Sequence, residues 1–124
     1  MPHQLFANAP LRLVDSITEL RPEDQGCLAV SGSHGGLSSA RYAAAAKPLL
    51  SVFNDAGVGK ASAGIAGLTK MQEEGLAACT VSHTSACIGQ ATSTYESGVI
   101  SFANSAAQTL GAMAGMRLRD LLPD

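Results

Sequence analysis

The chain has no tryptophan, and its 124 residues include only two tyrosines and three phenylalanines. An interior with so few rings has to be filled by Ala, Leu, Val and Ile, which favours small-residue helices packed closely on a sheet. Basic residues are scattered, with no run of Lys or Arg, and the net charge is −2. The electrostatic footprint of a nucleic-acid or anionic-membrane binder is therefore missing, and neither partner is expected. The start, MPHQLFANAPLRL, has neither the basic n-region nor the apolar h-region of a signal peptide, and no apolar run approaches membrane-spanning length. A cytoplasmic protein is the expectation. The three cysteines, Cys27, Cys79 and Cys87, make neither a CxxC pair nor an even disulfide set, which reads as reduced thiols.

A chain of this length suits one domain burying about two-thirds of its unfolded surface. Residues 1–10 are polar and proline-flanked and read as an N-terminal arm, leaving 11–124 as a single domain. Within it, Leu11 to Ile17 alternates enough to be a strand or short edge segment, and short apolar runs then recur: Cys27 to Val30, Leu49 to Phe53, Leu76 to Val81 and Val99 to Phe102. Helical segments separate most of them. SSARYAAAAK (38–47) stops at Pro48, and Ala61 to Glu74 stops at Gly75. IGQATSTYE (88–96) is weaker because of Gly89, and Ser105 to Leu110 and Met116 to Leu122 are shorter still. Short, non-alternating strands separated by helices imply an α/β, three-layer domain with a mostly parallel sheet of about four or five strands and helices on both faces.

In open parallel sheets ligands bind at the carboxyl ends of the strands, beside a topological switch point. Polar residues follow the apolar runs here: Ser31, Ser33 and His34; Asn54 and Asp55; Ser82, His83, Thr84 and Ser85; and Asn104. Their convergence on one rim is the main functional signal. VFNDAGVGKAS (52–62) imitates a phosphate-binding loop, but Asn54 stands where that motif needs its first glycine and Ala61 where it needs Ser or Thr. GVGK then reads as the turn into the next helix. SGSHGGLSS offers GxxGG instead of GxGxxG, so Ser31, Ser33, Gly35 and Gly36 suggest a generic carboxylate or phosphate cradle at a helix N-terminus. The plainer account is a sharp turn with Ser38 or Ser39 as N-cap.

His83 is the first choice for proton transfer, because imidazole both donates and accepts near neutrality. Asp55 would orient it or act as base, with Asn54 or Asp55 forming an Asx turn as the structural alternative. His34 has the same chemistry on a more flexible loop, while His3 lies on the arm. Ser33 or Ser85 with a histidine and Asp55 has the composition of a nucleophilic triad, yet no GxSxG elbow is present. His34, Asp55 and His83 match a two-histidine, one-carboxylate ligand set without any short HxH or HExxH spacing, so no metal is assigned and no cofactor is specified. Cys87 would gain reactivity if it opened a helix; a buried small hydrophobe is the ordinary alternative.

These residues lead to an expected small-molecule site, for an anionic metabolite, with His83, Asp55 and His34 in catalytic positions. Ser31, Ser33, Gly35, Gly36, Asn54, Ser82, Thr84 and Ser85 are the expected ligand-binding residues. Isomerase, lyase or hydrolase chemistry would suit these groups. The competing readings are a non-catalytic ligand-binding module and an oligomeric structural subunit, the latter suggested by the alanine-rich helices.

Overall fold

A computed structural model describes Phe6 and residues 8–122, except for the side chain of Ala61; His3 and most of the arm lie outside the described residues. Five strands form one sheet: β1 (Leu11–Val14), β2 (Leu28–His34), β3 (Leu50–Asn54), β4 (Ala77–Val81) and β5 (Ile100–Ala103). Their order in space is their order in sequence, with β1 to β4 parallel and β5 antiparallel to β4. Five short helices accompany them: α1 (Leu37–Ala46), α2 (Ala66–Glu73), α3 (Ala91–Ser97), α4 (Ser105–Thr109) and α5 (Leu118–Leu121). The three-layer α/β class follows. No helix among the described residues is long and apolar enough to cross a membrane.

The strand order explains the layers. Each of the first three connections steps one strand further in the same direction, and right-handed crossovers that all step one way must cover one face. That face holds the short 3₁₀ turn Ile17–Glu19, α1 and α2, with Ile17, Ala40, Ala43, Ala44, Leu68 and Met71 packed on Ala29, Phe53 and Ala78. Ala29, Ser51 and Ala78 are in register across the three central strands, so the sheet presents small side chains to an alanine-faced helix. The opposite face belongs to the C-terminal third. There Ala107, Ala112, Leu118, Leu121 and Leu122 cover Leu28, Val30, Leu50, Val52, Cys79 and Val81, and Phe6 is buried among them.

Three expectations need correction. The parallel strands never reverse their order, so no topological switch point exists among them. β5 runs antiparallel, which carries Asn104 to the opposite end of the sheet. There its side chain accepts from the amides of Ala78 and Ala107 and donates to the carbonyls of Leu68 and Leu76. Finally, α1 begins at Leu37 with Gly36 as its N-cap, so Ser38 and Ser39 do not cap it. The apolar pairing of β2 continues through Ser31 to His34 and leaves only Gly35 and Gly36 for the turn.

Gly67 shows how closely the two helices of the first face meet. A Cβ there would lie 2.5 Å from the Gly36 carbonyl oxygen, 2.8 Å from that of Gly35 and 2.9 Å from Ala40 Cβ. Two of these neighbours are backbone and cannot swing aside. Gly67→Ala should therefore cost about 1–3 kcal/mol, read as a lower urea midpoint, whereas Thr69→Ala on the exposed side of α2 should leave the midpoint within error. An unchanged Gly67→Ala midpoint would contradict the close packing of α2 on the turn before α1.

Candidate functional site

The chain leaves β3 through two consecutive polar residues, and both are buried: Asn54 is 0% and Asp55 4% exposed. Burial obliges each to find partners. Asn54 Oδ1 accepts from the Ala56 amide at 2.8 Å while its Nδ2 donates to the Ala86 carbonyl at 3.1 Å. Asp55 Oδ1 accepts from the Gly57 amide at 2.8 Å and from the His83 amide at 3.1 Å. Each residue thus makes an Asx-type bond within its own loop and a second bond to the loop after β4. The turn expected from sequence is present, and it also ties two strand ends together.

The loop after β3 adopts an unusual backbone to allow this. Ala56, Val58 and Ser62 have φ of 53°, 69° and 61°, alongside Gly57 and Gly59 at 75° each. A left-handed conformation is costly for β-branched Val58. Its amide bonds to the Asp55 carbonyl and its carbonyl accepts from the Gly64 amide, both at 2.6 Å, which holds it in place. GVGK is the middle of this loop, and Lys60 is exposed.

His83 Nδ1 lies 3.4 Å from Asp55 Oδ1, with the histidine side chain 57% exposed and the aspartate 6%. The ring sits over Gly57, where a Cβ would be 3.6 Å from Cε1. A carboxylate facing Nδ1 favours the tautomer with hydrogen on Nδ1, which leaves Nε2 free as a base. Burial pushes the Asp55 pKa up. Hydrogen bonds from the Gly57 amide, the Ser101 hydroxyl, and the His83 amide and ring outweigh it, leaving the carboxyl below the ordinary 3.8.

Beside this pair opens a cleft of about 450 Å³, lined by Asn54, Ala56, His83, Thr84, Ser85, Ala86, Cys87, Ile88 and Ser93. Most of its wall comes from the loop joining β4 to α3, which passes over the strand ends from one face of the sheet to the other. The loop is fixed by several bonds. Ser85 Oγ donates to the Ser82 carbonyl and accepts from the Val99 amide, each at 2.9 Å. The Gly89 amide donates to the Gly32 carbonyl at 2.7 Å, and the Cys87 amide to Ser93 Oγ at 2.9 Å. The Ala91 amide donates to Asp15 Oδ1. Gly32 permits the contact with β2, since a Cβ there would lie 2.4 Å from the Gln90 nitrogen.

The other expected residues lie differently. His34 is exposed on the strand beside Asn54, but its Nδ1 accepts from the Gly36 amide at 3.1 Å and it does not line the cleft. Ser31 is fully buried and donates to the Val52 carbonyl, and Ser33 Oγ accepts from the Ile17 amide. The Gly35 amide donates to the Asn54 carbonyl. Ser82 Oγ accepts from Thr84 Oγ1 at 3.3 Å. Asp55 and His83 are thus brought together with Asn54, Thr84 and Ser85, while Ser31, Ser33, Gly35 and Gly36 are engaged in holding the fold. No group of three His, Cys, Asp or Glu side chains able to hold a metal occurs among the described residues.

Cys87 departs most from its ordinary reading. It is exposed in the cleft instead of buried, and it does not open a helix, because Gln90 is the N-cap of α3. Cys27 and Cys79 are buried, and burial pushes both thiol pKa values up, that of Cys79 to about 12. Ser93 and Ile88 were not singled out by sequence. Their only signal was nearness to Cys87, which a single weak helix pattern could not turn into a shared wall. Comparison with protein-family models, with curated proteins and with solved structures finds no match to this chain.

The Asp55 contacts set a pH dependence. A carboxyl whose folded pKa is below 3.8 stabilises the fold fully above that value, and the contribution is lost as the pH falls through the folded pKa. Asp55→Asn should lower stability at neutral pH by ~1.5–3 kcal/mol, and the gap to wild type should narrow as pH falls below 3.8. Urea unfolding at a series of pH values measures both; a gap that widens in acid would contradict the assignment.

Proposed function

We propose that the cleft is a small-molecule site in which Asp55 and His83 act as an acid/base pair. The observation that carries this reading is the buried carboxylate against Nδ1 of an exposed histidine whose ring borders an open cleft. A carboxylate so placed orients the imidazole and holds hydrogen on Nδ1, leaving Nε2 to accept a proton from a bound substrate and return it. Isomerase, lyase and hydrolase steps all draw on that exchange.

The walls refine the expected ligand. No Lys or Arg is among the lining residues, whereas Ala56, Ala86 and Ile88 are. An apolar wall with a few convergent polar groups suits a ligand that has an apolar body and one polar head beside His83. This favours a neutral or singly charged carbonyl or carboxyl compound over the phosphate that the glycine loop also suggested. The free thiols fit a cytoplasmic location. The alanines that suggested an oligomeric subunit, Ala40, Ala43, Ala44 and Ala46, are buried within the fold.

A binding module without chemistry is the second reading, favoured by the engagement of Ser31, Asn54 and Ser85 in internal hydrogen bonds. One series of measurements addresses both. Thermal-shift screening of small carboxylates, esters and amides should yield a binder, and amide NMR should place it at residues 83–88. His83→Asn should weaken that binder by ~10-fold or more, and should abolish turnover if the site is catalytic. A binder that leaves residues 83–88 unperturbed would contradict a ligand site in this cleft.

A further inference from the structure

We propose that Cys87 is the nucleophile of this cleft, forming an S-acyl intermediate with an ester or thioester substrate while His83 takes up and returns the proton. This rests on reading Asp55 and His83 as an acid/base pair, and adds to it a nucleophile and a substrate class.

Among the described thiols only Cys87 is exposed, and it shares the cleft with His83. The hydroxyls nearby are less available. Ser85 Oγ donates to the Ser82 carbonyl, Thr84 Oγ1 to Ser82 Oγ, and Ser93 Oγ accepts from the Cys87 amide. The Cys87 thiol makes no hydrogen bond among the described residues. Its main chain is nevertheless fixed, through Ser93 on one side and the Gly89–Gly32 bond on the other. The wall is thus preformed around an exposed thiol that no hydrogen bond engages among the described residues. The amides of Thr84 and Ile88, both on lining residues, also lack a partner among the described residues. Unengaged amides at a cleft wall are the kind of donor that can meet an oxyanion, and Ile88 directly follows the thiol.

The chemistry balances without any oxidant or cofactor. The thiol proton passes to His83 Nε2, the sulfur bonds to the acyl carbon, and the carbonyl pair moves to oxygen as an oxyanion. As the carbonyl reforms, the bond to the leaving alkoxide or thiolate breaks, and His83 returns its proton to that group. Water then attacks the S-acyl carbon with His83 again as base, releasing the carboxylic acid and restoring the thiol. Asp55 carries the imidazolium at both stages. Catalytic thiol–imidazole contacts are often long before substrate binds and tighten in its complex.

p-Nitrophenyl acetate is a suitable activated ester. Incubation with the full chain, followed by intact-mass measurement and peptide mapping, should place one acetyl group on Cys87, with release of p-nitrophenolate continuing after the first equivalent. His83→Asn should slow acetylation of Cys87 by ~100-fold, and Cys87→Ser should abolish the acetyl thioester. His83 is 57% exposed at its side chain, so its replacement should leave the fold intact. Equal acetylation rates in wild type and His83→Asn would overturn the proposal, as would modification confined to lysines. If Cys87 shows no advantage while a ligand still perturbs residues 83–88 in a His83-dependent way, this inference fails and the binding site stands. If neither effect appears, both fall together.

Discussion

The arrangement depends on one buried carboxylate. An ionised aspartate at 4% exposure is tolerable only where donors replace its water, and Asp55 meets them on two different loops. The Gly57 amide comes from its own loop, while the amide and ring of His83 come from the loop after β4. Its main-chain amide also bonds to the Val81 carbonyl, the last residue of β4. Removing the charge would therefore loosen both walls of the cleft at once. The left-handed conformation of Ala56 serves the same demand, since it sets the peptide that presents the Gly57 amide to the carboxylate.

The topology determines why the cleft lies where it does. With β1 to β4 added in order and their crossovers on one face, the second face has little cover beyond Phe6 until the chain passes over the strand ends. The passage runs from β4 to α3, and α3 then packs against β2 and β1. A loop that long cannot lie flat against the sheet, and Asn54, Asp55, Ser85 and Gly32 anchor it at separated points. The space left beneath it is the cleft. A reversal of strand order is the usual way for a parallel sheet to open such a crevice; here a change of face does so.

Much of the fold was legible in the sequence. The alternating segment from Leu11 and the four apolar runs after it supply the five strands, Pro48 and Gly75 mark helix ends, and the failed phosphate-loop motif is indeed a turn. Local pattern sufficed because each of these features depends on near neighbours. Strand direction did not show, since β5 looks like any other short apolar run, and Asn104 was accordingly placed at the wrong end. The site was half visible. Asp55 and His83 could be named because a carboxylate and an imidazole at strand ends are conspicuous. What Ser31 and Ser33 do could not be read, because β2 extends past its apolar residues and takes those hydroxyls into the sheet. The exposure of Cys87 likewise depends on where a long loop crosses the rim, which no short window contains.

The most direct test of the central claim is the tautomer of His83, read from the ¹⁵N shifts of its ring in the neutral form. Asp55 against Nδ1 predicts hydrogen on Nδ1 and a bare Nε2 in wild type, with that preference lost in Asp55→Asn. A wild-type ring carrying its hydrogen on Nε2, unchanged by the substitution, would contradict the pairing on which the site is built.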